Sequence, residues 1–173
     1  MLEVFKALAR YNAKANGIVL GHMKALDEES LCRNYGTFYP TLTDTVLHVM
    51  LSDARWLGRL AVFRDAGFDI ARIESIKADC AADRLNAYRE RSRIAGLRSE
   101  LDADIIKTVD SIPEAAIALP FEIQFGDRRI SPPLWQLLLQ WFNHHSHHRG
   151  AVSAMLDMAG VENDFSLVLD KIG

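Results

Sequence analysis

Leu134-Trp-Gln-Leu-Leu-Leu-Gln-Trp-Phe-Asn-His-His-Ser-His-His-Arg-Gly150 holds four of the chain's six histidines, at positions 144, 145, 147 and 148. The residues before them predict a long helix. Ser131 is a natural N-cap, and Pro132 and Pro133 suit a first turn, where a missing N–H costs nothing. Leu134, Leu137, Leu138 and Trp141 recur at helical spacing, and no breaker intervenes before Gly150. A helix continued through the histidines stacks His144 over His148, four residues on, so two imidazoles can converge on one metal ion. Two ligands are too few for a tight site, and a third must come from elsewhere in the chain.

Composition sets the frame. At 173 residues the chain suits one domain, 1–173, with a sizeable core. A formal net charge of -3 gives no basic face for nucleic acid. No signal-peptide pattern opens the sequence, and no apolar run approaches the roughly 20 residues of a membrane span. Cys32 and Cys80 match no metal or redox spacing and read as reduced thiols, which suits a cytoplasmic protein.

Working outward, residues 2–26 carry an apolar stripe through Phe5, Leu8, Tyr11, Ala15, Val19 and Met23, with Val4 and Ile18 counted in it. Gly17 and Gly21 inside it suggest the close approach of a second helix, and Asn12 and Asn16 can hydrogen-bond in the interior. His22 reads as an exposed cation near the helix end. After a loop at 27–40, Thr41-Leu-Thr-Asp44 opens a second helix that carries His48 mid-way and stops near Gly67. Residues 68–80 read as a connector or short extended segment, and a third helix spans about 81–111 with a solvated outer face. Phe121, Ile123 and Phe125 alternate before Gly126-Asp127, which predicts a small β-hairpin. The last helix runs from about Pro132 to Ala159, with Gly160 in the cap position, and Phe165, Leu167, Val168 and Leu169 suggest one more short turn.

Four long helices and a hairpin predict an all-α four-helix bundle with the hairpin before the last helix. Such bundles build metal sites from inward side chains on facing helices, which makes His48 the natural third ligand. Asp44 and Ser52 lie one turn either side of it, and a buried polar patch of this kind needs partners. His145 points about 100° away from His144 and reads as a surface residue or a neighbour of the ligands, whereas His147 is the nearest rival for the second position. Arg149 reads first as a surface ion-pair partner, and Trp56 and Trp141 as core. Asn12, Asp44, Ser52 and Arg149 are the candidates for a place beside the ligands or in a substrate pocket.

These residues carry a resemblance. Tyr11-Asn12 with Asn16, His48 within Leu47-His-Val-Met-Leu-Ser-Asp-Ala-Arg-Trp56, the hairpin, and Asn143-His-His-Ser-His-His-Arg-Gly150 follow in the same order as in the DinB-like (DinB/YfiT-type) family. The family's members include thiol-dependent transferases. The resemblance implies a helical bundle, frequent homodimers, and a divalent metal, commonly nickel or zinc, held by three histidines that correspond to His48, His144 and His148. The chain departs from the family pattern at Lys14, where tryptophan is frequent, and at Ala151, where glutamine usually follows Arg-Gly. Neither departure removes a ligand.

Three neutral imidazoles with an open position suit a catalytic rather than a structural metal site. A His-Glu-x-x-His base is missing, because position 145 is histidine, and that argues against peptide hydrolysis. By family analogy the expectation is an enzyme that activates a low-molecular-weight thiol for S-transfer or thiol-assisted isomerisation of a small-molecule substrate. A non-catalytic stress-response metal-binding or interaction protein, and a metal-dependent hydrolase of a small substrate, are the alternatives.

Overall fold

The structure, a computed structural model, describes residues 1–64 and 68–166. Four long helices form the body: α1 (Leu2–Ala25), α3 (Leu42–Arg59), α5 (Leu85–Ser111) and α6 (Leu134–Met158). They close into a ring in which α1 and α3 each pack against both α5 and α6. Two shorter helices, α2 (Glu28–Cys32) and α4 (Ile70–Ala82), lie on its α3–α5 side. An antiparallel hairpin, β1 (Ile123–Phe125) and β2 (Arg128–Ile130), precedes α6. The all-α bundle with its hairpin therefore stands as predicted, with α2 and α4 added.

Apolar spacing accounts for the packing. Met50 and Leu57 of α3, and Leu134, Leu138, Trp141, Met155 and Leu156 of α6, are all buried. Full burial of such a side chain contributes about 1.5–3 kcal/mol. The two helices that carry histidine candidates are thus seated by apolar burial before any polar contact is counted. On α1 the stripe is narrower than its apolar content suggests. Val4 and Ile18 are exposed, and Gly17 and Gly21 have open space where a Cβ would stand, so no helix approaches closely there.

The helix ends follow local chemistry. Thr41 accepts from the Asp44 N–H at 3.0 Å and donates to the Asp44 carboxylate at 2.8 Å, which closes the start of α3. α6 departs from expectation: Ser131 does not cap it, and Pro132 and Pro133 lie before its first turn. Its first N–H groups, on Leu134 and Trp135, donate to the Leu119 and Ile117 carbonyls at 2.9 Å each. The turn at residues 117–119 thus does the work of a side-chain cap. At the other end Gly160 takes φ +75°, and the Gly160 and Val161 N–H groups return to the Asp157 and Leu156 carbonyls, a Schellman closure. In the hairpin, Gly126 at φ +60° makes the two-residue turn with Asp127.

Three further expectations change. α3 ends at Arg59, with Leu60 buried in the following turn; the stop expected near Gly67 lies outside the described residues, as do Leu167, Val168 and Leu169 of the expected terminal turn. The 68–80 connector is largely helical, because Ile70, Ile73, Ile76 and Cys80 recur every three or four residues rather than every two. Asp69 caps that helix through the Ala71 N–H, so the third long helix starts at Leu85 rather than 81.

Candidate metal centre

His48 sits on α3, half-buried, and α6 presents His144 and His148 to it. One potential ligand atom from each of the three lies within 4.8 Å of the others. The ring centroids stand 4.4 to 5.0 Å apart, and Nε2 of His48 is 3.0 Å from Nε2 of His144. Two nitrogens about 2.1 Å from one tetrahedral zinc ion would stand about 3.4 Å apart, so small side-chain adjustments admit an ion. The donor set is also chemically suitable. Burial first, and then the neighbouring imidazoles, lower both His144 and His148 to about 4, and burial lowers His48 as well. All three rings are neutral at pH 7, with lone pairs free for a cation. Nδ1 of His144, the ring nitrogen other than the one that meets His48, is buried without a hydrogen-bond partner among the described residues.

The loop before α3 supplies a residue that spacing did not single out. Tyr39 stacks on His48, with centroids 4.2 Å apart, and its hydroxyl lies 2.8 Å from His48 Nδ1. When Nδ1 carries the proton, the phenol oxygen accepts it and Nε2 is left facing His144 and His148. Tyr39 also lines a cavity of about 240 Å³ with Phe38, His147 and His148.

Behind the cluster runs a buried polar chain. His145 is 2 % exposed rather than on the surface, and its Nε2–H donates to Asp53 at 2.8 Å. The same carboxylate oxygen accepts from the Trp141 indole at 2.7 Å, and the other oxygen accepts from Arg98. Arg98 donates on to Asp102 at 2.8 Å, and Asn16 completes the chain by donating to Asp102 at 2.9 Å. Burial alone would raise the Asp53 carboxyl, but His145 and Arg98 outweigh it and hold the group well below the usual range. Asp102 goes the other way, pushed up by burial despite Arg98. The chain links α6, α3, α5 and α1, and it sets the rotation of α6 that turns His144 and His148 toward α3. Its signal in the sequence was the placing of Asp53, Arg98 and Asp102 within apolar stripes, between Met50 and Leu57 and between Ile94 and Ile105.

The other candidates separate. Arg149 is buried rather than a surface ion-pair partner: it donates to Asn12 Oδ1 at 2.8 Å and lies over the Tyr11 ring at 4.6 Å. Asp44 closes the start of α3 and lines a different pocket, with Cys32 and Cys80. Ser52 is half-buried one turn beyond His48. His147 is exposed beside His148 and stands outside the three-histidine group; His22 is half-buried rather than exposed. Trp56 and Trp141 are core residues stacked on each other at 5.9 Å.

The chain is 26% identical over 168 residues to Protein DinB of Bacillus subtilis (strain 168), an alignment covering 94% of this chain and 91% of that protein. No solved structure matches. The sequence model of the DinB family matches residues 1–168, nearly the full length, and the chain belongs to the DinB family.

Proposed function

We propose that this protein is a divalent-metal-dependent enzyme that activates a low-molecular-weight thiol for S-transfer or thiol-assisted isomerisation of a small substrate. The observation that carries the reading is the convergence of His48, His144 and His148 as neutral imidazoles from two facing helices beside a cavity. They would hold nickel or zinc. Such an ion supplies Lewis acidity, lowering the pKa of a bound thiol so that a thiolate is available at neutral pH.

The chain's own residues do the rest. Tyr39 orients His48 through Nδ1, and the Asp53–His145 bond fixes the helix that presents the other two rings. The cavity of about 240 Å³ against His148 gives a small substrate a place beside the site, with Phe38 and Tyr39 as an aromatic wall. The described residues of the three-histidine group include no carboxylate that could serve as a general base, which favours a thiol nucleophile over water.

The test compares turnover of a chlorinated aromatic or maleyl-type electrophile with and without a panel of cellular thiols, in metal-loaded protein and in a His48→Ala variant. Turnover that requires both metal and thiol, and is lost in the variant, is the expected result. Thiol-independent hydrolysis would move the assignment to a hydrolase. Metal uptake without turnover of any thiol would move it to a non-catalytic metal-binding protein.

A further inference from the structure

The cavity of about 240 Å³ beside the histidines has a wall whose donors are already committed. Thr37 donates to the Tyr39 carbonyl, and Thr45 donates to the Thr41 carbonyl at 3.1 Å. The Tyr39 hydroxyl meets Nδ1 of His48 at 2.8 Å, and His148 belongs to the three-histidine group. Among the described residues the wall holds no carboxylate, lysine or arginine. His147 is the uncommitted member. It is exposed, meets the His148 ring edge-on at 4.8 Å, and has no hydrogen-bond partner among the described residues.

That wall constrains the ligand. A charged group leaving water here would find one imidazole to meet it, and a charge buried without partners is costly. An uncharged ligand with a single acceptor asks for one donor, which His147 can supply. The rest of the surface is aromatic. Tyr39 has its ring stacked on His48 at 4.2 Å and meets Phe38 edge-on at 5.0 Å. Phe38 is 91 % exposed, so a ring laid against it covers aromatic surface now in water. Size narrows the class further. A cavity of about 150 Å³ holds benzene, so one of about 240 Å³ takes a single ring with a small substituent. Ala151 keeps that space open, because α6 contributes only a methyl group to the wall three residues beyond His148.

We infer that this cavity takes an uncharged, single-ring aromatic ligand that carries a carbonyl or nitro acceptor. His147 is its hydrogen-bond donor, and Phe38 and Ala151 select the ring. The inference deepens the proposed function by naming the substrate class: the aromatic electrophile, rather than the maleyl type with its carboxylates. It rests on that reading only for what the ligand is used for, because binding is measured without metal or thiol.

The experiment is fluorine NMR titration of the full-length metal-free protein at neutral pH with three probes of similar shape. The probe para-fluoroacetophenone has the ring and the carbonyl, para-fluorobenzoate adds a charge, and the saturated-ring analogue of the first lacks the aromatic face. The aromatic ketone is expected to saturate and to bind about fivefold or more tightly than either control. Ala151→Leu, which fills the space, should weaken it about tenfold or more and move the melting temperature by less than about 3 °C. Phe38→Ala and His147→Ala should each weaken it about threefold or more. Both change exposed side chains, so they decide the question even where Ala151→Leu is poorly folded. Benzoate binding as tightly as the ketone, no saturable binding of the ketone, or unchanged affinity in Phe38→Ala or His147→Ala would overturn the inference. None of those results touches metal uptake by His48, His144 and His148, which elemental analysis of the same protein reads separately.

Discussion

His145 and His148 stand three residues apart on α6, yet the structure gives them opposite work. His148 meets His48 and His144, while His145 is turned to Asp53 and the core. Replacing each by alanine should therefore fail in different ways. His148→Ala removes one of only three candidate ligands, and the metal per chain, expected near one, should fall to background in elemental analysis. His145→Ala should keep its metal in the folded fraction but lose about 2–4 kcal/mol of stability in urea, because it withdraws a donor from a buried carboxylate. Equal loss of metal in both variants would mean that the facing of α6 is wrong. The pairing of His144 with His148 on one face was legible in the sequence, because helical phase alone stacks them. The environment of His145 was not, because phase gives a direction and says nothing of what waits there. The acceptor, Asp53, is 92 residues away on another helix. Arg149 was misjudged for the same reason. Its burial is set by α1, whose Asn12 and Tyr11 receive it.

At the scale of elements, the polar chain from His145 to Asn16 and the surface ion pairs invite comparison, since both join helices through charge. Arg10 on α1 meets Asp110 on α5 at 2.9 Å, with the side chains 44% and 37% exposed. Exposed pairs of this kind contribute about 0–1 kcal/mol, whereas removing one partner of a buried pair costs about 3–5 kcal/mol. Arg98→Met should accordingly lower the urea midpoint strongly, since it leaves Asp53 and Asp102 facing each other across α3 and α5, and Arg10→Met should shift it little. Similar midpoints for the two variants would show that the buried chain does not hold the bundle. The elements themselves were legible wherever the apolar period was long, as in α1, α5 and α6. α4 was misread because its isoleucines at 70, 73 and 76 form too short a run to separate a helical period from loose alternation. The start of α6 was misread because its cap comes from the Leu119 and Ile117 carbonyls, and a backbone partner leaves no mark in residue type.

For the whole molecule, family resemblance and the apolar surface both lead to an expected homodimer. Val4 and Ile18 on α1 and Leu139 on α6 stay exposed at 60%, 38% and 51% after the core is filled. Light scattering at micromolar concentration should give about twice the 19.4 kDa of one chain, and a mass of one chain would contradict it.

Acid offers a second test of the whole fold, and its sign follows from the histidines. Unfolding returns His48, His144 and His148 to the ordinary value near 6.5. In the folded protein all three are lowered by burial first; neighbouring imidazoles help bring His144 and His148 to about 4, and Lys77 adds to burial at His48. Between those values the unfolded chain binds more protons than the folded one, so stability falls as pH drops below about 6.5 and the loss levels off near 4. Asp53 adds to the loss only at the acid end of that window, where the unfolded carboxyl, near 3.8, begins to bind protons while the folded one stays ionised. The melting temperature of metal-free protein should therefore be flat from pH 8 to about 6.5 and then decline towards pH 4. His144→Leu, which removes one titrating group, should make the decline shallower. Bound metal should raise the melting temperature most on the neutral side, because protons compete for the same lone pairs, and the gain should shrink as the pH approaches 4. A metal-free protein whose melting temperature does not change across this range would show that the three rings are not held neutral by the fold.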